Sequence, residues 1–448
     1  MHSVLHLKSG IRLLAIAGAA VLASLPVRAE PKAPTEHWPV LAPPQSAPGF
    51  RSDGIADLDE RLSQFVEDGH VVGLQALLVK DGEVALYGEY GVRDVETSDP
   101  VQPGTLYRIY SMTKPVTGVA LMQLYEQGKF DLDDPVTQYI PEFASLQVLA
   151  GEAADGTPIL KAPSRPATMR ELMSHTAGFA YGLGGDDYAN AQYREQGVLR
   201  SPDMQTFIDK VAGIPLLLEP GTEWYYSVSV DIQGYLVEQF SGLSLGEYFR
   251  KNIFGPLGMD DTGFFVPDAE YGRLSDIMVY SAEADGFVPL YADGVQFRES
   301  TIAFESGGGG LVSTIDDYAR FCQMLLNGGE LGGVRLLSED TVRLMRSNHL
   351  PPNTGVAFDG TLRGTGAPRP RDFGLNFAVI SDPVGMQSPA GTGTFYWGGA
   401  AGTWFWIDPE NNLFFIGMIQ RFGGLPGSPA GFREESLRLV YDALEEAE

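Results

Sequence analysis

The apolar positions of this chain change their period along its length. Ile55, Leu58, Leu62, Phe65 and Val66 recur at helical spacing and stop at Asp68-Gly69, which predicts an amphipathic helix. Two strand-like runs follow at 72–79 and 84–90, joined by Lys80-Asp81-Gly82-Glu83, the turn chemistry of a hairpin. The segment 116–128 is apolar on nearly every side until Gln127 and Gly128, so it reads as a buried helix with a glycine stop. From there to about residue 299 the pattern is helical with long loops, at 168–174, 204–211, 229–240 and 244–253, with little strand alternation. A further helix is predicted over 315–326. Strand-like runs return at 373–380, 402–407 and 413–419, the last two joined by a turn at 408–412, and a helix at 429–444 closes the chain. Strands at both ends with helices between them predict an α/β fold. One sheet domain is assembled from 51–115 and 300–448, and a mainly helical lobe, 116–299, is inserted into it.

The first residues depart from this plan. Lys8 and Arg12 precede a short apolar run, 13–25, and Val27-Arg28-Ala29 has the small-residue pattern of a cleavage site, so 1–29 reads as a signal peptide and the mature protein as periplasmic or secreted. The run is too short to span a bilayer, and no later stretch is long enough. Residues 30–50 carry six prolines and read as an extended lead-in. Loss of Lys8, Arg12 and Arg28 takes the formal charge from −27 to −30, which argues against nucleic acid or anionic membrane as partners. Cys322, the only cysteine, excludes an intramolecular disulfide and sits on the apolar face of a helical pattern, as a core thiol does. His37, His70, His175 and His349 have no second ligand at helical or strand spacing, so no metal is expected.

Candidate chemistry lies at the start of the buried helix. Ser111 and Lys114 are three residues apart, so a helix starting near Ser111 presents both on one face at its N-terminal end. The helix dipole there favours a serine alkoxide and disfavours a charged lysine, so Lys114 can become a neutral amine able to take the serine proton. Such a pair occurs about once by chance in a chain of this size; its meaning comes from the buried helix that carries it. A second nucleophile pattern, Gly242-Leu-Ser244-Leu-Gly246, matches Gly-x-Ser-x-Gly, but a helix leads into it where a strand is needed. Glu247 three residues later makes Ser244 a helix-capping box instead. The glycines at 307–310 lack a following Gly-Lys-Ser/Thr and read as close backbone packing near a cleft. A Ser–Lys nucleophile needs a further proton carrier, usually Tyr. Tyr188-Ala-Asn190 lies in a polar loop, 177–200, whereas Tyr226-Ser227 runs directly into a helix.

Taken together, Ser111-Met-Thr-Lys114, Glu171-Leu-Met-Ser-His-Thr-Ala-Gly178, Pro220-Gly-Thr-Glu-Trp-Tyr-Tyr226-Ser227, Pro256-Leu-Gly-Met259, Gly308-Gly-Gly-Leu-Val-Ser-Thr314 and Trp397-Gly398-Gly399 resemble the serine β-lactamase-like family in content and order. That group includes class C β-lactamases, D-alanyl-D-alanine carboxypeptidases and family VIII carboxylesterases. The resemblance spans about residues 55–441 and implies an antiparallel β-sheet flanked by helices plus a helical lobe, with the site between them. It implies Ser111 as nucleophile, Lys114 as activating base, Tyr226 as second proton carrier, and the backbone N–H groups of Ser111 and Ala400 as oxyanion hole.

Two departures from the family's pattern bear on substrate. Val228 stands where the penicillin-binding branch has Asn, and Trp397-Gly398-Gly399 stands where it has Lys-Thr-Gly or His-Thr-Gly. The missing cation removes a charge-assisted bond to a substrate carboxylate, about 1.5 to 3 kcal/mol. Trp-Gly-Gly is the form of the family VIII esterases. The expectation is therefore an exported serine hydrolase of small-molecule carboxylic esters, a reaction that requires no cofactor, with a β-lactamase or D-alanyl-D-alanine carboxypeptidase as the alternative, and an inactive ligand-binding scaffold as the non-enzymatic one.

Overall fold

The computed structural model describes residues 49–290, 297–302, 304–352, 354–356, 371–423 and 431–445. The expected signal peptide, His37 and residues 30–48 of the expected lead-in lie outside these.

The predicted first helix, α1, spans Ser52–Glu67 and buries Leu58, Leu62 and Phe65 along one stripe. It leads into the strands β1, Gly73–Lys80, and β2, Glu83–Gly91. Asp81 and Gly82 between them both have positive φ, 53° and 79°, the conformation of the tightest hairpin turn, and Lys80 pairs with Glu83 across it. The remaining strands of the sheet come from the far end of the chain: β3, Arg371–Phe373; β4, Ala378–Ile380; β5, Thr394–Gly398; β6, Trp404–Asp408; and β7, Leu413–Met418. Their order is β3-β4-β5-β6-β7-β1-β2, and every neighbouring pair is antiparallel. This is the β-lactamase/transpeptidase-like arrangement, an antiparallel sheet flanked by helices. Alternation along β6 sorts the two faces. The Trp404 ring lies against Phe432 of the terminal helix, while the Phe405 ring meets Tyr318 of the helix Ile315–Leu326. Helices thus cover both faces, and β6 and β7 are buried along their whole length.

Several expectations need correction. The run 373–380 is two strands, β3 and β4, with Gly374-Leu375-Asn376-Phe377 turning between them. Strand β5 has no counterpart in the predicted elements; its first four residues are all buried, so it shows no alternation to detect. The run at 402–407 starts two residues later than expected, because 399–402 form the turn into β6. Residues 116–299 hold two hairpins amid their helices, Val148–Glu152 with Pro158–Lys161 and Met278–Ser281 with Gly286–Pro289. The second has little burial contrast between its faces, hence no period to read. The loop expected at 177–200 contains a helix, Tyr188–Glu195, capped by Asp187. The final helix spans Phe432–Ala443, while 429–430 lie outside the described residues. Among the described residues, no helix is long and apolar enough to cross a membrane.

Candidate active site

The chain reaches the site along Tyr107–Arg108, which pairs with Val312–Ser313. It then makes one 3-10 turn, Tyr110–Met112, and enters the predicted buried helix, α2, at Thr113–Glu126. Ser111 therefore precedes α2 instead of opening it. Tyr110 has φ +42°, a left-handed conformation costing an L-residue about 1–2 kcal/mol. Its ring packs against Phe297 and Phe422, with centroids 6.1 and 5.7 Å away. The Tyr318 hydroxyl donates to the Met112 carbonyl and the Leu311 N–H donates to Thr113 Oγ1, so the turn is braced from both sides.

Lys114 is 1% exposed. Its Nζ donates to Ser111 Oγ at 3.2 Å, to Tyr181 Oη at 3.0 Å and to the Gly308 carbonyl at 2.6 Å, and it lies 4.6 Å from the centre of the Tyr226 ring. Three acceptors match the three protons of an ammonium. Burial works to strip that proton, but Tyr181, Tyr226 and Asp231 together hold the amine above its usual range. These partners oppose the helix end, which favours the neutral amine. Tyr181 is pushed above the ordinary phenol range by burial, against the pull of Lys114, and rests as a neutral phenol.

Two loops running side by side carry the tyrosines. The Tyr225 N–H donates to the His175 carbonyl and the Val228 N–H to the Ala180 carbonyl. His175 Nδ1 accepts from the Ser227 N–H at 3.2 Å and lies 3.0 Å from Ser227 Oγ, so the imidazole holds the residue after Tyr226. Burial, helped by Lys114, drives the His175 pKa well below 6.5, and the ring is neutral. Val228 is wholly buried at the N-cap of the helix Ser229–Ser241.

Tyr181 was missed by sequence reasoning, which looked for a tyrosine followed by an amide two residues on. The amide it needs is Asn190, whose Oδ1 accepts from the N–H groups of Tyr181 and Gly182 and whose Nδ2 donates to Tyr225 Oη at 2.8 Å. The two tyrosine rings meet edge to face at 5.3 Å. The one available signal was the apolar run 177–181 beside His175-Thr176.

The β5–β6 turn supplies the far wall. Trp397 is 4% exposed and its ring lies 5.5 Å from Tyr226 and 5.4 Å from Phe373. A Cβ at Gly399 would collide with the Ile109 carbonyl and with Thr403 Oγ1, so only glycine lets this turn lie against the segment entering Ser111. The Gly399 N–H is taken by the Thr403 carbonyl, whereas among the described residues neither the Ser111 N–H nor the Ala400 N–H donates to a protein carbonyl. Ser244, by contrast, is the expected capping box: its Oγ accepts from the Glu247 N–H and Glu247 Oε2 accepts from the Ser244 N–H. What the Ser111 arrangement offers chemically is a hydroxyl on a buried cation, two phenols in reach of that cation, and an apolar wall.

A family model described as Beta-lactamase matches residues 58–438. The chain belongs to the β-lactamase family and is a serine hydrolase of that fold. A Mycobacterium tuberculosis relative, Protein Rv1367c, is 36% identical over 80% of this chain and 88% of that protein. Esterase EstB of Burkholderia gladioli is 30% identical over 78% of this chain and 86% of its own length. Among solved structures, EstCE1, described as a hydrolase with promiscuous acyltransferase activity, superposes with a TM-score of 0.70 at 27% identity, covering 87% of this chain and 99% of its own.

Proposed function

We propose that the protein is an exported serine esterase acting on neutral carboxylic esters through an acyl-enzyme on Ser111. Export rests on the signal-peptide pattern of 1–29. The observation that carries the reading is Lys114 Nζ, bonded to Ser111 Oγ at 3.2 Å and to Tyr181 Oη at 3.0 Å, with the centre of the Tyr226 ring 4.6 Å away, so that the lysine connects the nucleophile to both phenols. The reactive form is the one in which the lysine–tyrosine set has lost a proton. Ser111 Oγ then bonds to the ester carbonyl carbon and its proton passes to the set. The oxyanion is received by the N–H groups of Ser111 and Ala400. As the carbon–alkoxy bond breaks, Tyr226 hands a proton to the departing alcohol. Water attacks the acyl-enzyme by the same route in reverse, releasing the acid and restoring Ser111.

Neutral esters are favoured because Trp397, Tyr226 and Phe373 form an aromatic wall where a carboxylate-binding cation would stand. Two relatives carry esterase names, EstB and the lovastatin esterase of Penicillium rubens. The test is turnover of p-nitrophenyl butyrate beside nitrocefin and a D-Ala-D-Ala peptide, in wild type and Ser111→Ala. The expected outcome is ester hydrolysis that vanishes in the variant; a preference for the anionic substrates would overturn the assignment of Trp397.

A further inference from the structure

Asp231 lies in the first turn of the helix Ser229–Ser241, is 1% exposed, and has no role in the reaction just described. Its Oδ1 accepts from Ser306 Oγ at 2.5 Å and from the Gly308 N–H at 3.0 Å. Among the described residues its Oδ2 has no hydrogen-bond partner. Gly308 faces the other way with its carbonyl, which takes Lys114 at 2.6 Å. A Cβ at 308 would collide with the Asp231 carboxylate, so the glycine is required by this approach. The sequence Asp231, Gly308 backbone, Lys114 is therefore one connected chain from a buried carboxylate to the cation beside the nucleophile.

We propose that Asp231 is the positioning residue of this site: through the Gly308 backbone it fixes where Lys114 Nζ sits, and its charge keeps the resting proton on that lysine. The inference rests on the reading of Ser111 as the nucleophile. A buried carboxylate with donors on only one oxygen is costly unless an opposite charge compensates it, and Lys114 is the compensating charge. The helix N-terminus adds a smaller stabilisation of the anion. Burial pushes the Asp231 carboxyl up, opposed by Lys114, Ser306 and the Gly308 N–H. The other titratable groups facing the pair are Tyr181 and Tyr226 on the flanking loops and His175, the last neutral. Because the reactive form needs one proton to leave the lysine–tyrosine set, a neighbouring negative charge raises the pH at which that happens.

The experiment measures fluorophosphonate labelling of Ser111, located by mass spectrometry, and p-nitrophenyl butyrate turnover across the acid limb, in wild type, Asp231→Asn and Ser306→Ala. Asp231→Asn is expected to lower the plateau rate about tenfold and to move the acid limb down by about one pH unit. Ser306→Ala, which keeps the carboxylate but removes a donor, makes the carboxyl harder to ionise and shifts the limb the same way by less. A merely structural residue would change thermal stability and plateau rate and leave the limb in place, and an unmoved limb in the folded variants overturns the proposal. If Asp231→Asn does not fold, Ser306→Ala decides alone. Should the wild type neither label at Ser111 nor turn over ester, the proposed function falls and this inference with it; an active wild type with unmoved limbs removes only the role of Asp231.

Discussion

Ser111 and Ser244 both sit in short patterns associated with serine nucleophiles, and the structure gives them opposite surroundings. At Ser244 the residue three positions on, Glu247, turns back to the backbone, and the exposed hydroxyl accepts from a helix N–H. At Ser111 the residue three positions on is a buried lysine whose amine approaches the hydroxyl from inside the protein. The contrast teaches that the spacing of a motif carries less information than the fate of its partner. A carboxylate near a helix start is used up by capping, whereas an amine driven into the interior must find acceptors, and the serine oxygen is one of them.

The sharpest way to break the contrast is to remove each hydroxyl. Ser111→Ala should lower ester turnover at least about 10³-fold, while Ser244→Ala keeps most of it; the reverse result in a p-nitrophenyl butyrate assay would exchange the two serines. Next, Tyr226→Phe should cost about 10²-fold or more in kcat if it carries the proton to the alcohol, and Tyr181→Phe should cost less if its part is to hold the lysine through the bond to Nζ. Comparable losses would make the two phenols equal carriers. A third test concerns the buried side of the contrast alone. His175 has its folded pKa depressed well below 6.5, so its stabilising contribution is complete above that pH and is lost as pH falls below it. Chemical denaturation should show about 1.4 kcal/mol lost per pH unit there from this residue, a slope that His175→Gln removes. The smallest effect belongs to the cap: Ser244→Ala should destabilise the protein by about 1 kcal/mol with no pH signature, measurable as a small drop in Tm.

Much of the scaffold was legible because local chemistry dictates it. Asp81-Gly82 can hardly be anything but a hairpin turn, and the Ser244–Glu247 box reads from four letters. The apolar stripe of α1 and the all-round apolar character of α2 announced a surface helix and a buried one. What stayed hidden depends on contacts between distant segments. Strand β5 is covered on both faces, so it has no period. Tyr181 becomes part of the site only because Asn190, nine residues on, holds its backbone. The surroundings of Lys114 were equally hidden, because Tyr181 and Gly308 reach it from elsewhere in the chain. Helix dipole and spacing are properties of one segment; the charge state of a buried amine belongs to all the segments that meet there.

The pairing of β1 with β7 sets a schedule for the molecule. Gln75 lies opposite Met418 and Lys80 opposite Leu413, so the strand that leaves the ribosome early waits for one made near the end. At translation rates of about 5–20 residues per second, that wait is roughly 20 to 70 s. For most of it Ser111 and Lys114 already exist as a chain segment, yet Gly308, whose carbonyl takes the lysine, is made later. The acceptors of Lys114 are therefore completed late, by a glycine 194 residues further along the chain.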